Sequence, residues 1–481
     1  MNGIHRHGGW EVKNMHRRSD TASIMVIATT ILLCGTAGGG EWEDEFPITQ
    51  DLLFQYRSYL TTAPDDTVFV LWPDWSDYED VKVNLMKSTD HGQTWIGPTI
   101  IFEGLAYENM DLHADADGLH LLLVEFWEDE ENEYRYLYYS RSVDGGDTFS
   151  TPVRVGTQSN IQTIKLFSGG GNIYVYGKDS DYESGGDFNY LYSSGDGGET
   201  WQENPLLPGT IVQNPSFTVR DGLIHMVFGG FLVEPEIQHC VSVDGVGWTR
   251  PVQVSRGSGA HSQLPQIAID GQAIHVVWED DRTGYFEIMY SRSTDGGLSW
   301  SRDVRVNWTR YGARAKLLTD EEGLHLVWCQ YHGDNGWPTS WGSYDYGIIW
   351  YRFSGDAGLT WSAEVRVSQN EAIPPIDLPE QGANVVKLAE YGSGFCAMWQ
   401  DKRDGNIDLY MRNYVGSAVV GDLDCDGDVD FDDINPFVLA LSGEAAYLVQ
   451  YPDCHWLNAD CDGDGDVDFD DINPFVALMG L

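Results

Sequence analysis

Short stretches in which apolar and polar residues alternate recur along most of this chain, separated by Asp-Gly signals. Alternation with period two is the pattern of a half-buried strand, and Asp-Gly is turn chemistry. The stretch 264–306 shows it most clearly, predicting strands over Leu264–Asp270, Ala273–Asp280, Phe286–Ser293 and Ser299–Val306. Comparable second strands end at Trp72, Trp127, Gly177, Phe228, Trp278, Trp328 and Trp399, which makes seven units. The seventh, Val385–Tyr414, has three strands and then stops.

Six of the units carry nearly the same phrase, Ser-x-Asp-x-Gly-x-Thr-Trp: Ser88–Trp95, Ser142–Phe149, Ser194–Trp201, Ser242–Trp248, Ser293–Trp300 and Ser354–Trp361. Its Asp accepts hydrogen bonds from turn amides, its Gly supplies positive φ, and its closing aromatic packs between neighbouring units. The aspartates (Asp90, Asp144, Asp196, Asp244, Asp295, Asp356) are 54, 52, 48, 51 and 61 residues apart. A period of about 50 residues carrying several short strands predicts an all-β propeller, one blade per repeat. The phrase resembles the Asp-box of the sialidase-like (BNR) propellers. That resemblance covers 42–414, and it implies that the boxes lie away from any active site and are structural. The fourth copy is one residue short and lacks the Thr, which predicts an irregular hairpin.

The seventh unit's missing strand is expected at the other end of the chain. Trp42, Glu45, Ile48, Thr49 and Gln50 fall at the same offsets as Trp361, Glu364, Val367, Ser368 and Gln369. An N-terminal strand pairing into the last blade would give a Velcro-type closure and remove two sheet edges. The expectation is therefore seven blades over 41–415, with six as the alternative.

Composition changes abruptly after residue 415. Asp422, Asp424, Asp426, Asp428, Asp430 and Asp433 stand at positions 1, 3, 5, 7, 9 and 12 of an acidic loop with Gly427 at position 6. Asp460, Asp462, Asp464, Asp466, Asp468 and Asp471 repeat the design around Gly465, and Asp426–Val438 is identical to Asp464–Val476. Calcium takes six to eight oxygens at this spacing, the seventh position offering its backbone carbonyl. Two Ca2+ ions are expected, with folding of 416–481 linked to them. Each loop runs into Asp-Ile-Asn-Pro-Phe-Val, a short helix with an early Pro. These loop–helix pairs resemble a type I dockerin, a small EF-hand-like domain. The resemblance implies docking on a cohesin-like or other surface receptor. Phe431 and Phe469 depart from it, standing where that family often has small hydroxyl residues.

The formal charge of −47 excludes a nucleic-acid partner and favours a calcium- or salt-rich exterior. Arg6, Lys13, Arg17 and Arg18 precede the apolar stretch Ile24–Cys34, so residues 1–37 read as a signal peptide of a secreted or cell-surface protein. No segment is expected to span a membrane, and the propeller is expected to be monomeric. Cys240, Cys329 and Cys396 are expected as buried thiols. Cys425, Cys454 and Cys461 are close enough in sequence for one disulfide of open connectivity.

The sialidase resemblance implies three arginines gripping a carboxylate, a Tyr–Glu nucleophile pair and an acid/base Asp. The string Tyr56-Arg57-Ser58-Tyr59 lacks the aliphatic residue and proline of that family's first arginine motif. Candidates for chemistry are Asp281, Arg282, Asp401 and Arg403 in loops between second and third strands, with Arg314 and Glu380 in connections entering first strands. Trp-x-Asp-x-Arg-x-Gly recurs in two blades, which favours Asp–Arg pairing that stiffens the loops. Trp75, Tyr285 and Trp337 are candidates for stacking on sugar rings, and His120, His225, His275 and His325 for core packing. The functional expectation is a glycan- or protein-recognition module; the alternatives are an exo-glycosidase of sialidase type and a structural spacer.

Overall fold

The structure, a computed structural model, describes residues 40–49, 57–74, 81–103, 107–128, 133–181, 186–230, 236–256, 261–309, 311–320, 322–332, 346–369, 386–391, 394–401, 403, 408–415, 420–424, 429–451, 454, 456–462 and 466–479. The proposed leader lies outside them.

Seven antiparallel sheets succeed one another along the chain. Blade 1 comprises Tyr59–Thr62, Val68–Asp74, Lys82–Ser88 and Ile96–Phe102, and blade 2 Tyr107–Asp115, Gly118–Glu128, Glu133–Ser142 and Val153–Arg154. Blade 3 is Ile161–Gly169, Asn172–Asp181, Gly186–Ser194 and Gln202–Pro205; blade 4 is Gln213–Arg220, Leu223–Gly230, Glu236–Ser242 and Val252–Gln253. Ser262–Asp270, Ala273–Asp280, Glu287–Ser293 and Val304–Arg305 form blade 5, and Gly312–Thr319, Leu324–His332, Tyr346–Ser354 and Val365–Arg366 form blade 6. Blade 7 has Val386–Tyr391, Gly394–Asp401 and Asp408–Val415, and two N-terminal pieces, Glu41–Trp42 and Phe46–Pro47, pair with its third strand. Their partners run in order: Trp42 opposite Tyr414, Phe46 opposite Met411 and Pro47 opposite Tyr410.

Seven apolar clusters each join two successive blades. One of them joins blade 7 (Cys396, Met398, Leu409, Met411) to blade 1 (Val68, Val70, Trp72, Met86), so the ring has seven interfaces for seven blades. This is a seven-bladed propeller and not a six-bladed one.

The boxes are turns whose polar atoms are consumed locally. In the five regular copies the Ser hydroxyl donates to the Asp (2.7–2.9 Å) and accepts the box Gly amide (2.7–2.9 Å). The amide four residues after each Asp donates to the same carboxylate. In the short fourth copy Asp244 instead accepts from the Val246 and Gly247 amides, the irregularity expected from its missing residue.

The box aromatics pack edge-on against the third strand of the preceding blade: Trp201 on Tyr139, Trp300 on His239 and Trp361 on Tyr290, with ring centroids 5.2–5.4 Å apart. Trp42 makes the same contact with Tyr351 of blade 6 at 5.3 Å, although no box precedes it. A carboxylate beyond each aromatic reaches back as well. Glu203 accepts from the Thr157 amide, Asp303 from Arg256, Glu364 from Thr309 and Glu45 from Gln369, at 2.7–3.2 Å.

Three details correct the expectations. The residue four beyond the partner of the box Ser is Trp278 in blade 5 and Trp328 in blade 6, but Leu123 in blade 2. Trp127 lies farther along a longer strand and is half exposed. The third strand of blade 5 starts at Glu287, one residue later than expected. The fourth strand of blade 5 is also shorter than the expected Ser299–Val306, only Val304–Arg305, which limits the exposed edge of that blade.

The second-strand histidines are core groups. Nδ1 of His120, His275 and His325 lies 2.6–2.9 Å from the hydroxyls of Tyr139, Tyr290 and Tyr351, and His225 contacts His239 at 3.2 Å. Burial holds His113, His239 and His275 down to about 4. Unfolded imidazoles protonate below about 6.5, so the unfolded chain binds more protons between about 6.5 and 4. The stability these groups provide is complete above that window and is lost as pH falls through it, each accounting for on the order of 1–3 kcal/mol. Urea unfolding of the propeller at pH 7 and pH 5 should show the midpoint falling. The box carboxylates Asp144, Asp196 and Asp295, held at about 2 chiefly by hydroxyl hydrogen bonds, act only below it.

Candidate functional site

Three places hold side chains capable of chemistry: the loops after the second strands, the tail and the central channel. Strand alternation puts the loops after second strands at the opposite end of each sheet from the boxes. There Arg282 forms a bidentate pair with Asp280, both bonds 2.7 Å, and a further contact with Asp303 at 2.9 Å. Arg403 repeats this with Asp401 and Glu45. The paired aspartate in blade 5 is thus Asp280 and not Asp281, which accepts the His261 amide at 2.8 Å. Burial alone would raise the Asp280 carboxyl; Arg282 outweighs it and holds the group below the usual carboxylate range. A guanidinium held by two carboxylates of its own chain is engaged in stiffening the blade. Arg314 sits on a bulge with φ 56°, as Asn214 and Leu264 do in blades 4 and 5, and its amide donates to Glu279 at 2.6 Å. Glu380, Trp75 and Trp337 lie outside the described residues; Tyr285 packs edge-on with Tyr311.

In the tail, Asp422, Asp424 and Asp433 bring carboxylate oxygens within 4.8 Å of one another, and Asp460, Asp462 and Asp471 do the same 38 residues later. Asp433 and Asp471 are buried at the two helix starts and are oriented identically. One oxygen accepts the Asp424 or Asp462 amide (3.1 and 3.0 Å), the other the Asp430 or Asp468 amide (2.8 Å each). Asp430 and Asp468 cap the following turn through the Asp432 and Asp470 amides at 2.7 Å, and neither they nor Asp466 join the three-carboxylate groups. Asp426, Asp428 and Asp464 lie outside the described residues. Three anionic groups at such distances repel unless a cation sits among them, and an all-oxygen donor set suits a hard divalent ion. Behind the loops, Phe437 and Phe475 stack at 4.2 Å, so the duplicated sequence packs on its own duplicate. Cys454 is disulfide-bonded and Cys461 is a free thiol, raised to about 12 by burial and then by Asp471, Asp460 and Asp462. Cys425 lies outside the described residues. Cys240, Cys329 and Cys396 are buried free thiols.

The third place was not foreseen. First strands line a central cavity of about 820 Å³. Counting from their pairing with second strands, the equivalent positions are Tyr59, Asp111, Lys165, Ser216, Gln266, Lys316 and Lys387. Asp111, Lys316 and Lys387 line the cavity. Lys316 Nζ lies 3.3 Å from Gln266 Oε1, and Lys387 Nζ lies 5.2 Å from the centre of the Tyr59 ring. The lysines are half-buried, with protein surrounding them. Desolvation, reinforced by repulsion from Lys165, lowers Lys387 to about 7, and Lys316 is lowered well below its ordinary value. The signal available in the sequence was a lysine at one register in three repeats, visible only after aligning first strands on the boxes.

No protein-family model matches the chain, and no curated protein sequence matches it. Solved structures resemble it in shape at low identity. One is a protein of unknown function from Dyadobacter fermentans (TM-score 0.47, 12% identity, 79% of this chain and 100% of that one). Another is the phage phi92 endosialidase (TM-score 0.44, 11% identity, 78% and 69%). A third is an α-L-arabinofuranosidase of Fusarium graminearum (TM-score 0.42, 14% identity, 77% and 96%). The propeller assignment stands on this chain's own seven sheets.

Proposed function

We propose that this chain is a secreted or cell-surface recognition module: a propeller that binds a glycan or protein, carried on a calcium-dependent, dockerin-like tail that docks on a surface receptor. The observation that carries the reading is the convergence of three carboxylates in each of two duplicated loops. Asp422, Asp424 and Asp433 hold one calcium, and Asp460, Asp462 and Asp471 the other. The engagement of Arg282 and Arg403 by Asp280, Asp303, Asp401 and Glu45 supports binding over catalysis by those loops. In the same reading the N-terminal segment is the fourth strand of blade 7 and closes the ring.

Calorimetric titration of the calcium-free protein should give two equivalents of calcium, and Asp433→Ala and Asp471→Ala should each remove one. A wild-type chain that takes up no calcium would remove the tail from the reading. Turnover of a sialoside by the purified chain would replace the binding module with the exo-glycosidase.

The tail's helices, Ile434–Ala440 and Ile472–Leu478, and the turns entering them also bear duplicated exposed apolar groups: Phe431, Ile434 and Val438, and Phe469, Ile472 and Val476. A spacing of four puts Ile434 with Val438, and Ile472 with Val476, on one helical face, and Phe431 and Phe469 stand in the turns just before those helices. These faces supply the contact with the receptor, one per orientation. Phe431→Ser or Phe469→Ser alone should leave capture by a receptor-bearing surface within about twofold, whereas the double variant should lose it, losing about 2 kcal/mol or more of binding. Surface plasmon resonance on whole cells or isolated envelopes of the producing organism reads the difference.

A further inference from the structure

The ammonium groups of the channel present a physical problem. The chain carries 75 acidic against 28 basic residues, yet at one level of its axis three of seven equivalent positions are lysine and one is acidic. Ser216, Gln266 and Tyr59 show that a neutral side chain serves the fold at this register. Lys316 of blade 6 and Lys387 of blade 7 line the cavity, and Lys165 of blade 3 stands at the same register, so three like charges share one level of the axis. Asp111 is the acidic group at this level, and it already accepts the Leu166 amide at 2.8 Å and the Leu112 amide at 3.1 Å. Glu390 also lines the cavity three residues beyond Lys387, where its side chain is exposed, and surrounding protein and then Asp320 raise its carboxyl. Converging ammonium groups in a walled cavity favour deprotonation or an anion among them.

We propose that the central channel is an anion-binding site in which Lys165, Lys316 and Lys387 hold the charged group of a small ligand, a carboxylate or a tetrahedral oxyanion. Lysine acts on such groups as a mobile point charge and does not require the fork geometry of arginine. The cavity is within the size range of small-molecule pockets. Gln266, beside Lys316, adds an amide able to donate to the same ligand. An anion restores the charged form of the lysines, so binding near pH 7 takes up protons.

The test uses the full chain with calcium present and two probes, sulfate for the inorganic oxyanion and succinate for the organic carboxylate, at constant ionic strength set with chloride. Calorimetry in two buffers of different ionisation enthalpy should show saturable binding of at least one probe with proton uptake at pH 7. Whichever probe binds more tightly identifies the source of the anion. Lys316→Met and Lys387→Met should each weaken it by about tenfold or more, as expected for loss of a hydrogen bond to a charged group. Their thermal midpoints should be unchanged or higher, because a desolvated charge is removed. Absence of binding by the wild type, or equal affinity in both folded variants, overturns the proposal.

Discussion

Chelating calcium from the intact protein should unfold residues 420–479 while the propeller stays folded. The tail's own core is small: Leu423, Phe437, Ala440, Tyr447, Cys454, Ala459 and Phe475. A domain of this size gains too little from burial to stand alone and usually depends on a metal or a disulfide. Its helices are seven residues each, too short to persist by propensity. Asp433 ties its loop to its helix through the Leu423, Asp424 and Asp430 amides, and that carboxylate is also a cation ligand in the proposed site. Without the ion, the cluster's charges repel at the point where loop and helix meet. At a free calcium a thousandfold above Kd, each ion contributes about 4 kcal/mol. Amide spectra of the tail should collapse in EDTA and return with calcium, and the loss should be complete when the Cys454 disulfide is reduced as well. Dispersed tail resonances in EDTA with reductant would contradict calcium-linked folding.

Removing the chain before Gln50 should cost the propeller more than any single blade substitution. The third strand of blade 7 would lose the amide bonds from Glu43 to Asn413 and from Ile48 to Leu409, and the Thr49 hydroxyl that accepts the Leu409 amide. Arg403 would lose Glu45, and Arg412 would lose the carbonyls of Trp42 and Glu43. An open strand edge would then face solvent, a template for association. Trp42→Ala isolates the packing part, since its ring meets Tyr351, Phe395 and Tyr414 edge-on at 5.3–5.5 Å. Its expected effect is about 3 kcal/mol, the lower end for a large aromatic because the ring is only partly buried. Thermal melts with light scattering should show a lower midpoint for Trp42→Ala, and a lower midpoint with self-association for the truncation. A truncated chain that melts like the full one would exclude ring closure by this segment.

Features carried by neighbouring residues could be read from the sequence. The boxes were legible because the Ser, Asp, Gly and Thr that make each turn are adjacent in the chain. The pairing partner of blade 7 was legible because Trp42 and Glu45 repeat the types and offsets of Trp361 and Glu364, each of which reaches the preceding blade. Where register decides, the sequence was ambiguous. Blade 2 places Leu123 at the position blades 1, 5 and 6 fill with tryptophan, and its Trp127 lies four residues farther along the strand. Asp280 and Asp281 are both plausible partners for Arg282, and only the alternation of the strand selects Asp280. The channel lysines could not be found locally, since residues 165, 316 and 387 are far apart in the chain and share one level only through the register of three separate sheets.

The strand Asp408–Val415 that leads into the tail has Gly394–Asp401 on one side and the N-terminal pieces on the other. If the tail is moored and the propeller is tugged by whatever it holds, tension enters the ring through a strand gripped along both flanks. Such a strand must shed two sets of main-chain bonds before it peels away, so the joint should resist drag better than a terminal edge would.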